Sequence, residues 1–206
     1  MRERSLHNLA RVAAMARPRE FDERDVVARA ARLFWRRGYN ATSVRDLGAE
    51  LSLKQSSLYR TFTDKRTLFL RALDHYRATD STQAEEQLNA PGPSLEILRA
   101  WLIWMISHDA GLGCFVVNTA AELGTTDPEV QERTEAAFEV TRTTLASLLR
   151  RGVRDGDLPA ALDVDAAVES LFTTVLGLRV RERAGHDPER LATAIDFAIG
   201  ALAASP

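Results

Sequence analysis

The sequence predicts an all-α protein in which a three-helix helix-turn-helix domain precedes a larger helical domain, with about nine helices in total. Ala, Leu, Arg and Glu dominate, and all four are good helix formers. Apolar residues recur at helical spacing, and the alternation that marks strands is absent. Residues 42–65, TSVRDLGAELSLKQSSLYRTFTDK, read as two short helices around a tight turn, followed by the start of another helix.

Capping residues and glycines set the boundaries of the first elements. Asp22 is a plausible N-cap, and Gly38 stands where the first helix stops. Thr42 or Ser43 caps the second helix, and Ser52 opens the turn. The predicted ranges of the first four helices are 22–38, 42–51, 55–61 and 65 to about 79.

Proline and glycine divide the rest of the chain. The stretch 89–93, NAPGP, cannot remain helical. Asp-Pro pairs at 127–128 and 187–188 open two helices, since proline suits a first helical position. Gly152 and Gly156 are predicted to end the longest helix. The predicted helices here are 94–108, 115–123, 128–151, 163–183 and 188–203.

Composition narrows the class of protein. The 206 residues are 45% hydrophobic, but no run of 18 apolar residues occurs, so we expect no membrane partner. The N-terminus has short apolar pieces cut by arginine and makes a poor signal peptide, so the expected location is cytoplasmic. Cys114 is the sole cysteine, which excludes an intrachain disulfide. With four scattered histidines there is no metal-ligand spacing, and we expect no metal and no cofactor.

Charge is unevenly distributed along the chain. Residues 15–77 hold 14 Arg and Lys against 8 Asp and Glu, or +6, whereas residues 78–206 hold 10 against 20, or −10. The near-neutral total of −2 therefore hides a basic front and an acidic back. A basic front attracts phosphates, which favours a nucleic-acid partner.

The helix-turn-helix segment carries polar residues suited to DNA. Gln55, Ser56 and Ser57 open the second helix of the motif, where a glutamine amide can bond an adenine edge. Thr42 or Ser43, and Lys65, stand at helix N-termini that favour a phosphate. The predicted DNA contacts are Thr42, Ser43, Arg45, Gln55, Ser56, Ser57, Tyr59, Arg60 and Lys65.

Residues from Phe21 to about His75 resemble the N-terminal DNA-binding domain of TetR-family transcriptional repressors. The matching residues are Ala31, Phe34, Gly38, Tyr39, Thr42, Ser43, Val44, Leu47, Leu53, Leu58, Tyr59, Phe62, Lys65, Leu68 and Leu73. The resemblance implies phosphate contacts from Thr42, Ser43, Tyr59 and Lys65, and base contacts from Arg45, Gln55, Ser56, Ser57 and Arg60. The chain departs from the family pattern at Ser52 and Ser56, where glycine is common, and at Lys54, where a small cap is usual.

The resemblance also implies that the chain is divided into three parts with different roles. Residues 1–20 would form a flexible basic arm, 21–64 the DNA-binding domain, and 65–206 a ligand-binding and dimerisation domain. The implied function is a homodimeric regulator, most simply a repressor released from a near-palindromic operator by a small molecule. The sequence leaves open the effector, the operator, the regulated genes, activation in place of repression, and a start at Met1 or Met15.

The last two helices are the predicted dimer interface, paired with their symmetry mates as a four-helix bundle. Gly177, Ala194, Gly200 and Ala201 would permit close approach. The alternative is that their apolar stripes are buried within one monomer. The stripes comprise Val164, Val168, Leu171, Phe172, Val175, Leu176 and Leu178 on one helix and Leu191, Ile195, Ala198, Ile199 and Leu202 on the other.

The central helices are predicted to hold a ligand pocket with apolar walls and a few polar groups. Its predicted residues are Trp101, Trp104, Met105, His108, Cys114, Asn118, Phe138, Arg142 and Phe172. The aromatic residues among them could instead be ordinary core. Cys114 follows two glycines at a helix N-terminus, which suits an oxidant or electrophile sensor, but it could also be inert or bind metal. An enzyme with Cys114 as nucleophile and His108 as base is the remaining alternative.

Overall fold

The computed structural model describes residues 22–108 and 111–204, and all the regular structure in this part of the chain is helical. The predicted arm, residues 1–20, lies outside the described residues. The helices are α1 Glu23–Arg37, α2 Val44–Leu51, α3 Gln55–Phe62, α4 Lys65–Tyr76, a π-helical turn Arg77–Ser81, α5 Thr82–Leu88, α6 Ser94–His108, α7 Phe115–Leu123, α8 Pro128–Asp155, α9 Val164–Arg183 and α10 Pro188–Ala203.

Two helices run further than their predicted ends. Because α4, the π-helical turn and α5 follow one another without a break, the described residues form nine continuous helical stretches. The prediction of a helix end near Thr79 was therefore wrong. Helix α8 also continues past Gly152, which is buried where a Cβ would come within 2.9 Å of the Ser94 Cβ. It ends at Gly156, whose φ of 84° is left-handed.

The first core joins the helix-turn-helix to the body. Helices α1 and α4 pack against each other around Phe34 and Phe69, and Leu47 and Leu58 attach α2 and α3 to them. Phe115 of α7 belongs to the same core. Ion pairs Arg36–Glu50 and Arg37–Asp46 join α1 to α2 at the surface. Because α4 contributes to the packing on both sides, the two predicted domains meet within one hydrophobic core.

The second core is built by α6, α8, α9 and α10. It contains residues that were predicted to form the dimer interface. Most of the large residues of those stripes are buried within the monomer: Val168, Leu171, Phe172, Val175, Leu178, Leu191, Ile195 and Leu202. The outward faces of α9 and α10 carry other residues, with Val180 54% and Phe197 80% exposed. A Cβ built on Gly177 or Gly200 would meet nothing within 4 Å. The helical spacing of apolar residues did identify buried faces of α9 and α10, but these faces pack inside the monomer.

Charged residues interrupt even the longest helices. Helix α8 spans 28 residues and includes Arg133, Arg142 and Arg150. Among residues 22–108 and 111–204, no helix is both long enough and apolar enough to cross a membrane.

Candidate nucleic-acid interface and ligand cavity

Helix α3 turns its apolar residues inward and a polar face outward. Leu58 and Phe62 are buried, whereas Gln55, Ser56 and Arg60 are exposed. Tyr59 is 41% exposed, so it belongs to the outer face despite its size. This spacing places the exposed side chains together on one side of a short helix. The predicted base contacts on α3 are thus available to a partner; Ser57 is half-buried, and Arg45 on α2 is exposed.

The turn before α3 is built without the residues most favourable for it. Ser52 adopts the left-handed conformation with φ 56° and ψ 37°, as its place in the motif predicts. The Leu53 N–H donates to the Gly48 carbonyl at 3.0 Å, and a Cβ on Gly48 would lie 3.1 Å from the Leu53 carbonyl oxygen. Lys54 is the N-cap of α3, and its side chain makes no capping hydrogen bond. The start of α3 therefore keeps backbone donors that a phosphate could use.

Helix α2 begins with a capping box. The Ser43 hydroxyl accepts from the Asp46 N–H at 3.1 Å, and the Asp46 carboxylate accepts from the Ser43 N–H at 2.9 Å. The hydrogen bonds from the Ser43 side chain and backbone hold the pKa of Asp46 below its ordinary value, and Arg37 lowers it further. Ser43 is exposed beside this cap, so it lies at the surface where a phosphate contact was predicted.

Thr42 and Lys65 support the loop before α2 from inside. Thr42 is fully buried, and its hydroxyl donates to the Gly38 carbonyl at 2.6 Å. The Lys65 ammonium donates to the carbonyls of Tyr39 and Thr42, each at 2.9 Å, and lies 4.0 Å from the Tyr39 ring centre. Two of the three ammonium donors of Lys65 are thereby used within the protein. In this conformation both residues hold the loop in place, and the Thr42 side chain is closed to solvent.

A carboxylate from the body of the molecule holds the same loop from the other side. Glu122, near the end of α7, accepts from the Tyr39 N–H at 2.9 Å and from the Asn40 N–H at 2.7 Å. Gly38 has a φ of 83°, and a Cβ there would come within 2.8 Å of a Glu122 carboxylate oxygen. Nothing local in the sequence points to this contact, because its partners are more than 80 residues apart.

A second link joins α4 to the start of α8. Arg66 binds Asp127 through two hydrogen bonds of 2.9 and 3.0 Å and pairs with Glu129 at 2.7 Å. Asp127 also caps α8 by accepting from the N–H groups of Glu129 and Val130. The Arg66 guanidinium holds the pKa of Asp127 below its ordinary value. The first turn of α4 is thus fixed to the body at the point where the helix-turn-helix ends.

A cavity of about 150 Å³ lies in the body between the α4–π–α5 stretch and α6, α7, α8 and α9. Seven of the nine predicted ligand residues line it: Trp101, Trp104, Met105, His108, Cys114, Phe138 and Phe172. Asn118 and Arg142 are outside the wall. Asn118 donates to the Leu112 carbonyl at 3.0 Å. Arg142 lies 4.1 Å from the Phe172 ring centre and 3.2 Å from Glu169.

Part of the cavity wall was missed by the sequence interpretation. The π-helical turn and α5 contribute Arg77, Asp80 and Glu85. Arg77 lies within the fourth predicted helix, whereas Asp80 and Glu85 lie beyond its predicted end near residue 79. Arg179 of α9 also lines the cavity, although it is only 3% exposed. The polar pattern of α5, TQAEEQL, signals a helix, but only the fold shows that one side of it faces a cavity.

The loop that ends at Cys114 connects the cavity wall to α1. Arg179 donates to the carbonyls of Met105 and Gly113 and pairs with Glu182 at 2.9 Å. The Gly113 carbonyl also accepts from the Trp35 indole at 3.2 Å. Gly113 has a φ of 68°, and a Cβ would come within 2.8 Å of the Arg179 carbonyl oxygen. One carbonyl thus joins the cavity to the C-terminal end of α1.

Cys114 is the N-cap residue of α7 and is half-buried at the cavity wall. Its sulfur accepts a hydrogen bond from the Tyr76 hydroxyl at 3.7 Å. His108 stacks on Trp104 with ring centres 4.5 Å apart. In the described part of the chain no group of three or more His, Cys, Asp or Glu side chains could hold a metal ion.

Family models match both halves of the chain. Residues 26–72 match the model described as bacterial regulatory proteins, tetR family, and residues 95–198 match the tetracyclin repressor-like C-terminal domain. The chain belongs to the TetR family. Residues between the two matches contain the end of α4, the π-helical turn and α5, which is the part of this TetR-family protein that links its two halves.

Relatives of the chain are similar over most of its length. The HTH-type transcriptional repressor ComR of Escherichia coli is 30% identical over 85% of this chain and 86% of its own. The uncharacterized HTH-type transcriptional regulator YezE of Bacillus subtilis is 29% identical over 91% of this chain and 100% of its own. A cysteine mutant of the TetR-family regulator CifR, complexed with 26-bp double-strand operator DNA, is 30% identical, with a TM-score of 0.80 over 90% of this chain and 99% of that one.

Proposed function

We propose that this TetR-family protein is a DNA-binding transcriptional repressor that leaves its operator when a small molecule enters the central cavity. The observation that carries the proposal is the pairing of an exposed polar face on α3 with a cavity whose wall continues into α4. The similarity to ComR, which is named as a repressor, and to the CifR structure with operator DNA supports the same function. We place this activity in the cytoplasm, where bacterial regulators meet DNA.

The polar face of α3 is the proposed base-reading surface. Gln55, Ser56, Ser57 and Arg60, with Arg45 of α2, would contact base edges in the major groove. Ser43 and Tyr59 would contact phosphates, together with the third donor of the Lys65 ammonium. Thr42 would act indirectly, by holding the loop that presents Ser43.

A homodimer would place two copies of α3 on the two halves of a near-palindromic operator. The surface that supports this assembly lies on the outward faces of α9 and α10, where Phe197 is 80% exposed and Val180 54%. Gly177 and Gly200 leave open space beside them. Small residues around a few exposed apolar ones would let two pairs of helices pack closely as a four-helix bundle.

Release would follow from the position of the cavity. Its wall includes Tyr76, Arg77 and Asp80, and Tyr76 is the last residue of the helix that packs under the helix-turn-helix. A ligand that fits the cavity better when this wall is displaced would shift the population toward a state in which the two copies of α3 no longer match the operator.

Binding in place of catalysis is supported at Cys114. The hydrogen bond that its sulfur accepts comes from Tyr76, whereas His108, the base of the alternative enzyme, stacks on Trp104. We therefore assign the cavity to ligand binding.

Operator binding can be tested with duplexes selected from a randomised pool by the full-length protein. We expect the selected sites to contain two related half-sites, with affinity that falls steeply as salt increases. Gln55→Ala should relax the base preference at one position per half-site by about 1–3 kcal/mol.

Tyr59→Phe should weaken binding to all selected sites alike, because it removes a proposed phosphate contact.

The matched control is Arg154→Ala, which removes an exposed charge from α8 on the body. It should leave both the affinity and the base preference unchanged. Failure to select any sequence at low salt would overturn the proposal, and an unchanged base preference in Gln55→Ala would remove Gln55 from the reading surface.

A further inference from the structure

Hydroxyl groups on α8 offer the cavity acceptors in place of donors. Thr144 and Thr141 line the cavity one turn apart. The Thr144 hydroxyl donates to the Val140 carbonyl at 2.8 Å, and the Thr141 hydroxyl donates to the Ala137 carbonyl at 3.4 Å. A hydroxyl whose proton is used by its own helix has only lone pairs left for a ligand. A ligand beside these threonines can therefore hydrogen-bond to their hydroxyl oxygens with its own N–H or O–H groups.

Carboxylates stand close to the same helix. Asp80 of the π-helical turn and Glu85 of α5 line the cavity, and α5 packs against α8. Asp80 accepts from the Thr79 hydroxyl at 2.7 Å, which leaves most of its lone pairs available. Acceptors and negative charge are thus supplied by neighbouring elements of the wall.

The positive charges of the wall are partly compensated. Arg179 pairs with Glu182 at 2.9 Å and donates to two backbone carbonyls, so its charge is balanced within the protein. Arg77 also lines the cavity. Glu182 is not part of the wall, but it neutralises Arg179. The carboxylates of Asp80 and Glu85 then face one remaining guanidinium group, that of Arg77, which favours a positive ligand over a negative one.

Large aromatic side chains belong to the otherwise mostly aliphatic remainder of the wall. Trp101, Trp104, Phe138 and Phe172 line the cavity, and the Phe138 and Phe172 rings meet edge to face at 5.4 Å. Faces of aromatic rings attract cations, with tryptophan the most effective. A volume of about 150 Å³ is on the scale that holds a single ring.

We propose that the cavity binds a compact organic cation, a protonated amine on an apolar body of about one ring. Its ammonium group donates to Glu85, Asp80 and Thr144, and its apolar body lies against Trp101 and Trp104. The inference rests on the proposed function and deepens it, since it names the chemical class of the effector.

Three probes of one shape test the ligand class on the full-length protein without DNA. Isothermal titration calorimetry at pH 7 compares benzylamine, which is protonated, with neutral benzyl alcohol and anionic benzoate. We expect benzylamine to bind about tenfold more tightly than benzyl alcohol, and benzoate to bind most weakly. Equal or tighter binding of either other probe overturns the proposal, as does undetectable binding of benzylamine at millimolar concentration.

Charge-matched variants locate the ammonium site. Glu85→Gln should weaken benzylamine binding about fivefold or more and leave benzyl alcohol binding unchanged, which also shows that the cavity is intact. Glu132→Gln removes an exposed carboxylate elsewhere and should change neither. Unchanged amine binding in Glu85→Gln, or equal weakening of both probes, overturns the proposed site.

Separate readouts keep this inference distinct from the proposed function. Operator binding without amine preference overturns the inference alone, and amine preference without operator binding overturns the proposed function alone.

Discussion

At the scale of single residues, two residues at the turn of the DNA-binding motif are unfavourable for the backbone positions that they occupy. Ser52 occupies a left-handed conformation that glycine adopts at lower cost, and Lys54 begins α3 without a side-chain cap. Both were visible in the sequence as departures from the family pattern. Both concern local backbone geometry, which the motif fixes within a few residues.

Ser52→Gly is expected to raise the free energy of unfolding by about 0.5–1 kcal/mol. The left-handed conformation costs a residue with a Cβ roughly 1–2 kcal/mol, and the added flexibility of glycine in the unfolded chain offsets part of the gain. Urea denaturation followed by circular dichroism measures the change. Ser56→Gly is the control: in the helical α3 the same replacement should destabilise by about 0.5 kcal/mol. A loss of stability in Ser52→Gly would contradict the left-handed geometry.

At the scale of elements, α7 connects the two sites. Its N-cap, Cys114, lies in the cavity wall, and Glu122 near its other end holds the backbone of Tyr39 and Asn40. A single nine-residue helix thus reaches from the cavity to the loop before α2. Helix α4 offers a parallel connection through its packing on α1 and its continuation into the π-helical turn.

Glu122→Ala should weaken operator binding about tenfold, since two hydrogen bonds to a charged group no longer hold the loop that presents Ser43. Glu122→Gln should recover part of the affinity, because its amide oxygen can still accept. Fluorescence anisotropy with a selected duplex measures the affinity, and thermal unfolding checks that the body stays folded. Glu132→Gln serves as the control for a lost charge. Operator affinity equal to the wild type in Glu122→Ala would show that the contact does not position the loop.

At the scale of the whole molecule, residues of both cores line the cavity. The outward faces of the helices carry the proposed contacts with other molecules. The basic N-terminal part presents α3, and the acidic body presents the outer faces of α9 and α10. Because the apolar stripes of these helices are used within the monomer, the proposed dimer depends on small residues and on the few large ones that stay exposed.

Phe197→Arg is expected to convert the proposed dimer to a monomer at micromolar concentration. The substitution places a charge where an apolar side chain, 80% exposed in the monomer, would otherwise be buried against its symmetry mate. Analytical ultracentrifugation measures the mass. Ala136→Arg, at an exposed position of α8, is the control and should leave the mass unchanged. A dimer that persists in Phe197→Arg would move the interface away from α10.

The sequence by itself determined the helix-turn-helix, its inward and outward residues, and the all-α class. These depend on caps, turns and helical spacing, which act over a few residues. Several large residues of the cavity were also predicted from the sequence, since bulky apolar side chains on central helices are buried in the interior of the domain. The sequence could not show which large apolar residues are core alone. Phe115 belongs to the first core and Phe138 to the cavity wall, and the two look alike until their helices are packed.

Only the tertiary structure decided where the long-range contacts form. Lys65 bonds to the backbone of Tyr39, and Glu122 binds the loop backbone, although the partners are far apart in the chain. Arg142 packs on Phe172 of another helix and does not line the cavity. The stripes of α9 and α10 were recognised as buried surfaces, but periodicity states that a face is buried and does not name its partner. That choice is made when the helices pack, because any of several apolar faces satisfies the same hydrophobic driving force.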